Sequence, residues 1–152
     1  MAARAYTIKG LNRALKQLGP EASKQLRDAS VEIAGRVADD ARSRALRGSG
    51  AARLMAPSIK GTRDRVPAVR QGSSRKLPPR HGRARTGARQ TIGDLMMGAE
   101  FGGGARPRTQ QFLPWRGSSS SAGYALYPAV RDNAAATGEA YSAALDDALQ
   151  AI

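Results

Sequence analysis

The chain has 152 residues, a formal net charge of +13, aromatic residues at 5% and no cysteine. Its length suggests one domain over 1–152 with a small core, and the lack of cysteine excludes disulfides and thiolate metal sites and fits a reducing compartment. No apolar run approaches the ~18 residues of a membrane span, and the opening MAARAYTIKGLNRALKQLG offers no apolar stretch of secretory type.

The charge is unevenly spread. Of the 25 basic and 12 acidic residues, 17 basic and 3 acidic lie between Arg42 and Arg116, a net of +14 that leaves −1 for the remainder. The ends have the balance of an ordinary fold, and the middle is a concentrated positive field that implies an anionic partner: nucleic acid or an acidic protein surface ahead of a membrane.

In chain order, Leu11, Leu15 and Leu18 recur at helical spacing. Gly19-Pro20 punctuates, and Pro20 with Glu21 suits a new helix start. Leu26, Ile33, Val37 and Ala41 continue the period, which predicts one long helix from about 20 to 46, with charges of alternating sign on its polar face. Gly48-Ser49-Gly50 ends it. Residues 51–60, AARLMAPSIK, are ambiguous between a turn and a first strand. Around Val66 and Val69 the chain reads as strand or hairpin, with Pro67 pointing to an edge. Residues 73–90, SSRKLPPRHGRARTGARQ, read as a long basic Arg/Gly/Pro-rich loop or hairpin tip without apolar content to bury.

Residues 91–101, TIGDLMMGAEF, resume an extended pattern. Leu95, Met97, Ala99 and Phe101 fall on one face of a strand, and Met96, Gly98 and Glu100 on the other. Glycines 102–104 break it. A segment holding the only Trp follows, then a Ser-rich linker and the apolar YALYPAV. Asp132 or Asn133 can cap a last helix, in which Tyr141, Leu145, Ala148 and Ile152 form one stripe. The expected class is α+β: N-terminal helices, a small antiparallel sheet with its basic loop, and a C-terminal helix packed on the sheet.

Motifs for catalysis are missing from the sequence. GxxxxGK[ST], GxGxxG and HExxH do not occur. His81, the sole histidine, stands in the basic loop without a partner and reads as a solvated side chain. Asp39-Asp40 and Asp146-Asp147 lie opposite the apolar stripes of helices and read as solvated faces rather than converging metal ligands. No enzyme activity, cofactor or metal is expected. Arg75, Lys76, Arg80, Arg83, Arg85 and Arg89 are dense enough to touch several phosphates, with strong salt dependence, or to dock on an acidic neighbour. Interleaved aromatics for base stacking are lacking. Phe112-Leu113-Pro114-Trp115 is an aromatic anchor, for the core or for an interface.

The order of these features resembles a known family. The helical N-terminus, the stretch Gly50 to Ile59, the segment ending Ala99-Glu100-Phe101-Gly102, the QFLPWRG segment and the final helix look like the neck and tail-completion proteins of long-tailed bacteriophages. Trp-Arg-Gly with a following Tyr-Pro resembles forms from phages of actinobacteria. Leu95-Met96-Met97-Gly98 stands where a tyrosine-rich strand is usual. The resemblance implies a structural virion protein at the head–tail junction, assembled in the host cytoplasm. It would be a connector, completion or terminator subunit that forms homo-oligomeric rings, commonly six-fold, between portal and tail proteins, with DNA passing through. It further implies subunit-interface roles for Glu100, Phe101, Phe112 and Trp115. Phe101 would pack inward on the helices, and Glu100, on the opposite strand face, would be free to pair with an Arg across the boundary. The basic loop would line the DNA lumen or seat on a neighbouring ring. A competing reading is a basic nucleic-acid-binding protein of ribosomal or nucleoid type.

Overall fold

A computed structural model describes residues 8–77, 89–103, 112–117 and 121–150. Among them the order is helix α1 (Ile8–Gln17), the long helix α2 (Pro20–Arg47), α3 (Gly50–Met55), strands β1 (Lys60–Thr62) and β2 (Ala68–Arg70), α4 (Met96–Phe101), α5 (Leu126–Asp132) and α6 (Ala134–Gln150). The class is α+β, with a two-stranded antiparallel sheet. Among the described residues no helix is long and apolar enough to cross a membrane.

The organising element is α2. It starts as its sequence predicts, with Pro20 in the first turn and Glu21 near the positive end of the helix dipole. Its buried face is mostly alanine and serine with Leu26, Ile33 and Val37. Small residues let neighbours approach the backbone closely. A Cβ on Gly61 of β1 would lie 3.0 Å from the Gly35 amide nitrogen of α2, so strand and helix touch main chain to main chain.

Two apolar clusters form along this rod. One joins Ala22 and Leu26 to Leu145 and Ala148 of α6, flanked by Leu11, Leu15 and Leu18. The other gathers Val37, Ala38, Ala41 and Ala45 with Met55, Ile59, Leu77, Leu95, Ala99 and Ala129. Helix α6 lies along α2 and reaches the β1–β2 turn, where the Tyr141 hydroxyl donates to the Arg65 carbonyl at 2.9 Å. The Ser30 hydroxyl of α2 donates to the same oxygen, and the Arg65 guanidinium donates to the Leu15 carbonyl. The turn is thereby tied to α1, α2 and α6. Burial, with Asp64 nearby, raises the Tyr141 phenol above its ordinary value.

A polar network fixes the corner between α5 and α6. Arg44 donates to Asp40 at 2.9 and 3.0 Å and pairs with Asp132 at 3.0 Å, and the Asn133 amide donates to Asp40 and to the Ala129 carbonyl. The hydrogen bonds from Arg44 hold the Asp40 carboxyl below the usual range, against the opposing pull of burial. Asp40 is therefore an internal fastener, and Asp39 pairs with Arg42 on the surface. Asn133 precedes α6, as expected, but its side chain reaches back to α2 and α5.

Three sequence expectations are corrected. Gly50–Met55 is a helix, begun by the Ser49 hydroxyl accepting from the Ala52 amide at 3.2 Å. Residues 93–101 form no strand. A 3-10 turn, Gly93–Leu95, runs into helix α4. Thr91 and Asp94 cap it reciprocally: the Thr91 amide and hydroxyl donate to the Asp94 carboxylate, and the Asp94 amide donates to the Thr91 hydroxyl. The two bonds donated by Thr91, the backbone one first, hold the Asp94 carboxyl below its usual range. Finally, the basic segment does bury a side chain. Leu77 is 2% exposed in the larger cluster, because Leu77 donates to Gln90, Ile92 to Arg75 and Gly93 to Ser73 in an antiparallel ladder.

Candidate functional site

Helix α5 begins without a side-chain cap of its own. Its orphan N–H groups are satisfied from a distance. Glu100, in the last turn of α4, is 3% exposed. Its Oε1 accepts from the Tyr127 amide at 2.8 Å and more weakly from Ala125 at 3.4 Å, and its Oε2 accepts from Leu126 at 2.9 Å. A carboxylate suits this place because the first amides of a helix carry partial positive charge and need acceptors. The approach depends on Gly123, which has φ +80° and whose Cβ, if present, would sit 2.4 Å from Glu100 Oε1.

The expectation that Glu100 stands on an open face, free for an Arg of a neighbouring subunit, is thus corrected. Helical rather than extended backbone turns the carboxylate inward, where backbone amides of its own chain occupy it.

Directly after Glu100 the chain reverses. Gly102 has φ +84°, a left-handed conformation that favours glycine, and a Cβ there would lie 2.1 Å from the Pro114 carbonyl oxygen. Residues 112–117 zip against it, with Gly103 donating to the Leu113 carbonyl at 2.9 Å and Arg116 to the Phe101 carbonyl at 2.7 Å. The Tyr124 hydroxyl donates to the Pro114 carbonyl, and the Arg116 guanidinium lies 5.4 Å from the Tyr124 ring centre.

This zipper divides the FLPW anchor in two. Phe112 turns inward and packs on the larger core, its ring filling the space where Gly98 lacks a side chain. Trp115 turns outward and is 61% exposed. Phe101, half-buried, sits between Trp115 at 6.2 Å and Tyr127 at 5.1 Å between ring centres, the latter edge to face. Tyr127 is itself 57% exposed. The result is an outward aromatic patch whose base is held by Glu100. Phe101 therefore packs chiefly on aromatic neighbours rather than on the helical layer.

Sequence reading missed Tyr127. It lies 27 positions from Glu100, and only the fold brings Phe101 and Tyr127 together.

The basic residues fall elsewhere. Arg75 and Lys76 are exposed at the start of the antiparallel ladder, with Lys76 bridged to Thr91. Arg89 closes the same stem by donating to the Leu77 carbonyl at 2.7 and 3.2 Å. Arg80, Arg83, Arg85 and His81 lie outside the described residues. Among the described residues no group of three or more His, Cys, Asp or Glu side chains is placed to hold a metal ion.

The aromatic patch and the cationic stem are what this geometry offers for recognition: one anchors an apolar contact, the other attracts an anion. No protein-family model, curated protein or solved structure matches the chain.

Proposed function

We propose that this chain is a structural subunit of a virion, forming a ring at the head–tail junction through which DNA passes. The observation that carries the reading is the outward aromatic patch. Trp115 and Tyr127 are 61% and 57% exposed, yet they flank Phe101 on a base fixed by a buried carboxylate. Large rings held rigidly in water form a contact surface whose ordering cost is already met by the fold. Ring closure needs heterologous contacts, in which this patch meets a different surface on the next copy. The concentration of positive charge between Arg42 and Arg116 supports a place beside DNA or an acidic ring. The resemblance of Glu100-Phe101-Gly102 and the following FLPW segment to bacteriophage neck proteins supports the virion setting.

The competing reading, a monomeric nucleic-acid-binding protein of ribosomal or nucleoid type, rests on the same charge but leaves the aromatic patch without a role. Light scattering combined with salt-titrated DNA binding separates the two. A ring subunit self-associates with rising concentration and binds duplex weakly as a monomer. Tight duplex binding by a chain that stays monomeric would overturn the proposal.

A further inference from the structure

The antiparallel register of β1 and β2 sets Lys60 directly opposite Arg70. Like charges facing each other across a strand pair repel and destabilise the pairing. Arg75 lines the same cavity, a space of about 270 Å³ between the Pro57-Ser58 turn, the two strands and residues 72–75. Among the described residues no acidic side chain lines it, and Lys60, Arg70 and Arg75 have no ion-pair partner. Other exposed arginines of the fold do pair, among them Arg36 with Glu32 and Arg63 with Asp28. At this cavity three cations without an ion-pair partner come together from β1, β2 and the segment that follows.

The walls are built. The Ser58 hydroxyl donates to the Met55 carbonyl at 2.6 Å and accepts from the Gly72 amide at 2.9 Å, which fixes the turn against the strand exit. The Ser73 hydroxyl oxygen accepts from the Arg75 amide, which leaves its proton to donate, and the Ser74 hydroxyl has no partner among the described residues. Cations from three separate segments, with two donating hydroxyls, match a group that spreads negative charge over several oxygens.

We propose that this corner is a phosphate-group site, in which Lys60, Arg70 and Arg75 surround one phosphate and Ser73 and Ser74 donate to its oxygens. The group comes either from a nucleic-acid backbone or from a small phosphorylated compound. The adjoining stem residues Lys76 and Arg89 extend positive charge away from the pocket, as a backbone carrying successive phosphates requires. The inference does not depend on ring assembly, since it concerns one pocket within a single chain.

The test uses the full chain and its Lys60→Gln/Arg70→Gln/Arg75→Gln variant, with Arg36→Gln and the charge-retaining Lys60→Arg as controls. Inorganic phosphate is titrated while the amide NMR signals of residues 72–75 are followed. A short DNA duplex is titrated by fluorescence anisotropy over a range of salt. Saturable phosphate shifts in the parent chain and both controls, lost in the triple variant, support the site. If the triple variant's salt slope for duplex is also shallower by about 1, the phosphate belongs to a nucleic-acid backbone. If the duplex slope is unchanged while inorganic phosphate binding is lost, the source is a small phosphorylated compound. No saturable phosphate shift in the parent chain, together with identical duplex slopes for parent and triple variant, overturns the proposal. All three positions are exposed, and each single Gln variant provides the same readings should the triple variant fold poorly.

Discussion

Glu100 and Gly123 are complementary: the carboxylate of one occupies the space that a side chain on the other would take, with Glu100 Oε1 2.4 Å from an added Cβ. Through that fit one buried side chain caps α5 and carries the floor of the aromatic patch. Glu100→Gln, similar in size, replaces one acceptor oxygen with a donor and faces it toward amides that also donate. We expect a loss of roughly 1–3 kcal/mol in urea unfolding. Gly123→Ala should destabilise as well, because it adds a left-handed backbone penalty to the clash. Wild-type unfolding midpoints for both variants would contradict the capping role.

The FLPW segment predicts a separation of stability from association. Phe112 packs on the core and Trp115 faces solvent. Phe112→Ala should therefore lower unfolding stability by about 1–3 kcal/mol. Trp115→Ala should change stability by less than about 1 kcal/mol yet weaken self-association by roughly 2 kcal/mol, about thirtyfold. Sedimentation and unfolding measured on the same preparations check both halves.

The Asp40–Arg44 pair gives a pH dependence. The Asp40 carboxyl is held below its ordinary value of 3.8, first by the hydrogen bonds from Arg44. A depressed folded-state pKa means that the unfolded chain takes up its proton first. The contribution to stability is thus complete above the unfolded value and is lost as pH falls through the folded one. Arg44→Met should return the Asp40 titration, followed by carboxyl NMR, toward 3.8 or above. It should also cost about 1 kcal/mol at neutral pH, since the pair is only partly shielded from water. An Asp40 titration unmoved by the substitution would contradict the pairing.

The register of α4 can be tested with lysine. In the helix, Met97 is 57% exposed and Ala99 is 2% exposed, although on a strand they would share a face. Met97→Lys should leave unfolding stability within about 0.5 kcal/mol. Ala99→Lys, which buries a charge, should cost upward of about 3 kcal/mol. Equal effects at the two sites would contradict the helical register.

How much the sequence discloses depends on the length of its signals. Helix α2 shows a helical period from Leu26 to Ala41, and both its start and its end within a residue are legible. Segment 91–101 is short enough to satisfy two periods at once. Leu95, Met97, Ala99 and Phe101 alternate as a strand would, while Ile92, Leu95 and Ala99 follow helical spacing and are the apolar residues that bury. Two local cues favour the helix: Leu, Met, Ala and Glu are good helix formers without β-branching, and Thr91 with Asp94 makes a capping pair. The clamp of Glu100 on α5 was not legible, because a buried carboxylate and an exposed one look alike until the fold brings its partners from 25–27 positions away. The cationic corner was half legible: Arg75 belongs to the basic run, while Lys60 and Arg70 join it only through strand register.

The central claim is that copies of this chain close into rings through the outward aromatic patch, and negative-stain imaging of the purified protein across a concentration series tests it most directly. The account predicts closed rings at high concentration for the parent chain and their loss in Trp115→Ala. Single, unassociated particles at every concentration, or rings that persist undiminished in Trp115→Ala, would contradict it.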